Sequence, residues 1–157
     1  MSYWYGNGWL SGMKNILSFV YTFFILCLVL NCSAVPINNL HYQREWMLVE
    51  FDNFTRQQLI ENKAEINLTG EKTGSNKIKG NALMGCNKIF FVAEFKNNER
   101  MKISGLGSTE MACNNSSLED AFLRKFDKMN RYTIKGHWLT LSDRDGNKMK
   151  FIASDWD

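Results

Sequence analysis

Through most of the chain after residue 44, apolar and polar positions alternate with a period of two, the spacing that puts successive side chains on opposite faces of a strand. The run EWMLVEF from Glu45 sets Trp46, Leu48 and Glu50 on one face and Met47, Val49 and Phe51 on the other. Apolar residues on both faces predict a strand partly covered on each side. Residues 53–62 are polar and read as a loop with room for one helical turn around Gln57–Ile60. Alternation returns at Glu65–Thr69 and again at Lys77-Ile78-Lys79, after the turn signal Thr73-Gly74-Ser75-Asn76, which predicts a hairpin. That hairpin leads into residues 80–85, where Gly80 and Gly85 mark a bulge or a close backbone approach.

The centre of the chain is a second hairpin. An apolar run from Ile89 to Phe95 meets a turn at Asn97-Asn98 and returns through Met101 and Ile103 to Gly105-Leu106-Gly107. One helix follows. Ser116 with Glu119 three residues on predicts a capping box. Leu118, Ala121, Phe122, Phe126 and Met129 then form one apolar stripe, with Glu119, Asp120, Arg124, Lys125 and Lys128 outside it. The last section, Arg131–Trp156, reads as a hairpin whose first strand changes phase near Gly136, as a bulge would make it, and turns at Asp145-Gly146. The fold class expected is mainly β: a small antiparallel curled sheet or partly closed barrel with one covering α-helix.

The beginning of the chain has a different pattern. From Met13, a lone basic residue Lys14 precedes fifteen uncharged, mostly apolar residues from Ile16 to Leu30 and the exit Asn31-Cys32-Ser33-Ala34. This is the plan of a secretory signal over residues 13–34, and residues 1–12 fit no part of it, which makes Met13 the expected start. Val29-Leu30-Asn31-Cys32 resembles a bacterial lipobox, which implies lipidation of Cys32; ordinary cleavage after Ala34 is the alternative. Fifteen apolar residues fall short of the roughly twenty that cross a bilayer. Residues 35–44, with Pro36 and Asn38-Asn39, read as a tether, leaving 45–157 as the domain.

Composition narrows the partners. The net charge is +3, and removing the leader leaves eighteen basic against sixteen acidic groups, interspersed along the chain. No nucleic-acid partner is expected from that balance. Of four cysteines, Cys27 lies in the leader and Cys32 at its exit, so Cys86 and Cys113 remain, one before and one after the central hairpin. Closing that hairpin can bring them together, and in an exported chain such a pair reads first as a disulfide, with two buried unpaired thiols as the other reading. A closed loop of about 28 residues would stabilise the fold by roughly 3–4 kcal/mol on the chain-entropy model.

Gly85-Cys86-Asn87 and Thr109-Glu110-Met111-Ala112-Cys113, at this separation and followed by a helix and a closing hairpin, resemble the META domain family, the HslJ-like proteins of bacterial envelopes. The motif residues are Gly85, Cys86, Asn87, Thr109, Met111, Ala112 and Cys113, and the resemblance covers about residues 45–153. It implies a lipocalin-like barrel topology and an envelope location, and it brings no catalytic residues.

Chemistry in the sequence is sparse. His41 falls in the tether and His137 in a strand, and neither has a Ser or Cys nucleophile nearby in sequence. Glu94 interrupts an apolar strand, the pattern of a strand with one wet face. Asp143, Asp145 and Asn147 resemble the opening of a calcium loop, but Gly146 is misplaced and no glutamate follows at the required distance, so a turn is the better reading. No catalytic, metal or cofactor site is expected. The leading expectation is a non-catalytic, monomeric envelope lipoprotein, anchored to the outer membrane and facing the periplasm or the surface, or else soluble in the periplasm or secreted, with an interaction or stress role. The alternative is a carrier whose mouth, lined by Phe90, Phe91, Phe95 or Trp138, holds a small apolar ligand.

Overall fold

A computed structural model describes residues 41–156. The segment 1–12, the leader with Cys32 and the tether up to residue 40 lie outside the described residues. Eight strands follow in chain order: β1 (Glu45–Phe51), β2 (Glu65–Asn67), β3 (Lys77–Leu83), β4 (Lys88–Lys96), β5 (Arg100–Ser108), β6 (Arg131–Lys135), β7 (Trp138–Ser142) and β8 (Lys148–Ala153). Each bonds antiparallel to the next and β8 returns to β1, so the sheet closes into a barrel. The expectation allowed a partly closed barrel; pairing of Trp46 with Ala153 and of Phe51 with Met149 completes the circuit, while β5 meets β6 through one register pair, Arg100 with Arg131. Helix α1 (Arg56–Glu61) lies between β1 and β2, and α2 (Ser117–Phe126) between β5 and β6.

Alternation within each strand sends one set of side chains inward. On β1 the inward set is Trp46, Leu48 and Phe51, not Glu50, because a register shift between Leu48 and Glu50 changes the phase. The bulge turns the acid out and the ring in, correcting the simple alternation. Met47 and Val49, on the other face, are half-buried, as a covered strand requires. Gly80 pairs with Phe91, and a Cβ on Gly80 would meet the Phe91 ring at 2.5 Å, so the missing side chain makes room for a ring in the core.

The Arg131–Trp156 segment holds three strands where two were expected. Lys135 pairs with Trp138 across a two-residue loop, and Gly136 at φ +58 supplies the conformation such a tight turn needs. The phase change near Gly136 is therefore a chain reversal and not a bulge. Helix α1 begins in a capping box between Thr55 and Gln58, a fuller helix than the single turn expected there.

Rings fill the barrel. Phe122 and Phe126 of α2 stack with centroids 4.4 Å apart, and Phe126 meets Phe91 edge-on at 4.9 Å. The helix thus covers the end of the barrel near Phe51, where Lys125 bonds Asp52 at 2.9 Å. Near the start of β1, Tyr42 stacks on Phe95 at 3.9 Å, and Phe95 meets Tyr132 at 5.0 Å. Burial, and after it the neighbouring Tyr132, pushes the Tyr42 phenol above its ordinary pKa. Tyr42 belongs to the core and not to a tether: it is buried, and its carbonyl accepts the Trp46 indole N–H, so packing begins before Glu45.

Candidate functional site

The two motif segments meet at the end of the barrel that α2 covers. Gly85 sits at φ +118 in the β3–β4 link, and a Cβ there would run into Asn62 Oδ1, so both backbone angle and space call for glycine. Cys86 and Cys113 are joined as a disulfide, with Cα atoms 6.1 Å apart. The cross-link expected from their places around the hairpin is the one formed.

Asn87 is the hub beside it. Its Oδ1 accepts from the Met111 backbone N–H at 2.8 Å and from the Thr109 hydroxyl at 3.0 Å, while its Nδ2 lies 3.4 Å from Cys113 Sγ. Thr109 Oγ1 in turn accepts from the Lys88 N–H at 3.1 Å. The buried Asn87 N–H donates to Glu119 Oε2 at 2.9 Å. The Asn87 amide and the Thr109 hydroxyl are thus spent on holding the two motifs together, while the Met111 and Ala112 side chains face solvent.

Glu119 corrects the expectation made for the helix. Its spacing sets it outside the apolar stripe and in a capping box with Ser116, yet it is only 4% exposed and reaches Asn87. Ser116 makes no side-chain cap and bonds Asp120 instead, at 2.9 Å. The Ser117 N–H donates to Asn115 Oδ1 at 3.0 Å, so Asn115 caps the helix start while Glu119 serves the buried Asn87 amide. Replacing Asn87 by alanine removes the acceptor for two donors, and about 2 kcal/mol of stability is expected to be lost. Urea unfolding measures it; a loss under about 0.5 kcal/mol would mean the hub is incidental.

The expected carrier mouth is not formed. Phe91 and Phe95 are buried in the core, whereas Phe90 and Trp138 stand on the outer surface, 47% and 40% exposed. Alternation explains the split, since Phe90 and Phe91 are neighbours on one strand. An open groove exists elsewhere, of about 290 Å³, between α1 and the outer faces of β1 and β8. Met47, Val49, Ile60 and Ile152 line it, with Arg56 and Lys63 among the surrounding side chains. Glu65 also borders it, and burial, then the charge of Glu45, raises its carboxyl pKa against the opposing pull of Lys63.

The other residues singled out stay apart. Glu94 points outward and pairs with Lys96 at 3.6 Å. His137 lies in the β6–β7 turn, not within a strand, with its ring stacked on Trp156 at a centroid distance of 3.4 Å. His41 is exposed just ahead of Tyr42. Among the described residues, no three His, Cys, Asp or Glu side chains are grouped to hold a metal ion.

Asp143 closes the β7–β8 turn. Its Oδ1 accepts from the N–H groups of Asp145 and Asn147, both at 2.9 Å, and its Oδ2 from Asn147 Nδ2 at 2.7 Å. Burial alone would raise its pKa, but these donors together with the Gly146 N–H outweigh it and hold the carboxyl below its ordinary value. A depressed native pKa contributes stability that is present above the unfolded value, near 4, and is lost as pH falls through the native one. The stability difference between wild type and Asp143→Asn is therefore expected at neutral pH and to shrink below about pH 4, as a pH series of urea unfolding would show. A gap that widens in acid would contradict this.

The fold and the clasp define a class: a closed eight-stranded antiparallel barrel of lipocalin-like shape, capped by a helix and cross-linked at that end by a disulfide. The META domain model matches residues 38–156, and the chain belongs to the META domain family. Among solved structures, an NMR structure of a protein from Burkholderia xenovorans is 19% identical with a TM-score of 0.57, covering 78% of this chain and 92% of that one. A crystal structure of a DUF4847-family protein from Bacteroides vulgatus is 12% identical with a TM-score of 0.48, covering 78% and 100%. No curated protein matches the chain.

Proposed function

We propose that the protein is a non-catalytic domain of the cell envelope, exported by its leader and held at the outer membrane by a lipid on Cys32. Its work is done by its outer surface, in interaction or protection under stress. The observation that carries this reading is the Cys86–Cys113 bond, because a structural disulfide persists in an oxidising compartment. The use of Asn87 and Thr109 to clasp the two motif segments supports the non-catalytic part. Non-reducing mass spectrometry of the protein from its native membrane tests it. An acylated Cys32 with Cys86 and Cys113 oxidised is the expected result; free thiols and an unmodified chain starting at Met1 would overturn it.

A second reading is favoured by the groove beside α1. Its apolar lining with Arg56 and Lys63 suits a small amphiphilic acid, a ligand of the carrier type in a different place from the barrel mouth. Titration with a short-chain fatty acid should move the amide resonances of residues 56–63; unmoved resonances at millimolar ligand would dismiss it.

A further inference from the structure

The outward residues of β6, β7 and β8 form a grid fixed by strand register. Lys135, Trp138 and Ile152 make one row, Thr133, Thr140 and Lys150 the next, and Arg131, Ser142 and Lys148 the third. A shallow depression of about 460 Å³ runs over this face. Lys135, Lys148 and Lys150, which line it, and Arg131 at the edge of the face form no ion pair among the described residues, although Arg44, Lys79, Lys96 and Lys125 all do. Glu50, opposite Lys150 on β1, and Glu99, in the turn beside Arg131, border the grid without pairing with it. Lys150 instead holds its Nζ 4.5 Å from the centre of the Trp138 ring. The grid itself contains no carboxylate.

Register also places this face relative to the rest of the chain. The first row continues from Ile152 to Met47, near the start of β1, so Trp138 and Lys135 lie at the end of the barrel where the chain enters. Trp156, 58% exposed, stacks on His137 at the same end. Met47 and Ile152 also line the apolar groove, so basic and apolar surface adjoin. Only nine steps of chain separate Cys32 from His41, a reach of at most about 30 Å.

We propose that the β6–β7–β8 face is a second membrane contact, laying the barrel against anionic lipid headgroups with Trp138 at the interface and the lysines and Arg131 on phosphates. The proposal rests on the envelope anchoring above. Tryptophan favours the headgroup layer because its ring is apolar and its N–H polar, and each basic residue near an anionic leaflet strengthens binding about five-fold. A short tether keeps the face within reach of the surface that a lipid on Cys32 would hold it to.

Lysine acetylation read by mass spectrometry tests this on the full chain reconstituted at lipid excess in vesicles of zwitterionic lipid, with or without about one-third anionic lipid. Expected is acetylation slowed about five-fold or more at Lys135, Lys148 and Lys150 in the anionic vesicles, reversed by about 0.5 M salt, with Lys77 and Lys79 on the opposite strand β3 unchanged. Trp138→Ala should weaken that protection. Equal rates in the two vesicles would overturn the proposal. So would protection by a soluble polyanionic polysaccharide but not by anionic lipid, which would give the face to a glycan. The Cys32 peptide in the same spectra reports the acyl group separately, so failure of the anchor and failure of the face are distinguishable.

Discussion

Replacing both Cys86 and Cys113 by serine is expected to lower the free energy of unfolding by roughly 3–4 kcal/mol, from the entropy that an open loop of about 28 residues regains in the unfolded chain. For a domain of this size that is a fall in Tm of very roughly 10–20 °C. The bond joins the β3–β4 link to the segment before α2, across 27 positions of sequence. Between those points lie β4 and β5, so the loop it closes is itself a folded hairpin. Because Asn87 adjoins Cys86 and bonds Met111 and Thr109, the serine variant keeps a non-covalent clasp. It should therefore fold, with its loss of stability largely absent when wild type is compared under strong reductant. Urea unfolding of both forms, with and without reductant, checks this. A variant within 1 kcal/mol of the oxidised wild type would show that the hydrogen-bonded clasp alone holds the two segments.

Much of this architecture was legible in the sequence because period-two alternation is a direct imprint of a sheet with one buried face. Residues 88–108 show it best: Ile89, Phe91, Ala93 and Phe95 point in, and Met101 and Ile103 meet them from β5. The cysteine pair was legible because it brackets that hairpin. What escaped the sequence were places where one residue decides a phase or a partner. The bulge at Leu48–Glu50 exchanges which residues of β1 face inward, and nothing local to EWMLVEF marks it; pairing with β8 imposes it. Gly136 gave the right signal, but the alternation on either side was equally compatible with one bent strand or two short ones. Glu119 fits a capping box by spacing, and only the approach of the Asn87 amide from another part of the chain reassigns it. Closure of the barrel is likewise a long-range fact, since β1 and β8 lie at opposite ends of the domain.

The second large effect is expected at Phe126. Its ring is fully buried, stacked on Phe122 and edge-on to Phe91, and so ties α2 directly to β4. Truncation to alanine removes those contacts and leaves a cavity among the buried Phe91, Phe122 and Phe51 rings, which sit on hydrogen-bonded strands and a helix and can close it only in part. A loss of about 3–5 kcal/mol follows, against about 1–1.5 kcal/mol for Phe126→Leu, which keeps most of the volume. Position, and not aromatic character, sets the size of the effect. Phe90→Ala, on the solvent side of β4, should cost under about 0.5 kcal/mol. Hydrogen exchange separates a general loosening from a local one. If α2 is a plug, amides of residues 117–126 should exchange faster in Phe126→Ala by more than those of β7 and β8, since the helix opens without the sheet. Uniform acceleration across the barrel would mean that helix and sheet unfold as one unit. The ring of Phe91, accommodated by Gly80, would then be a shared keystone, and Gly80→Ala should reproduce the same uniform pattern by displacing that ring from the inside.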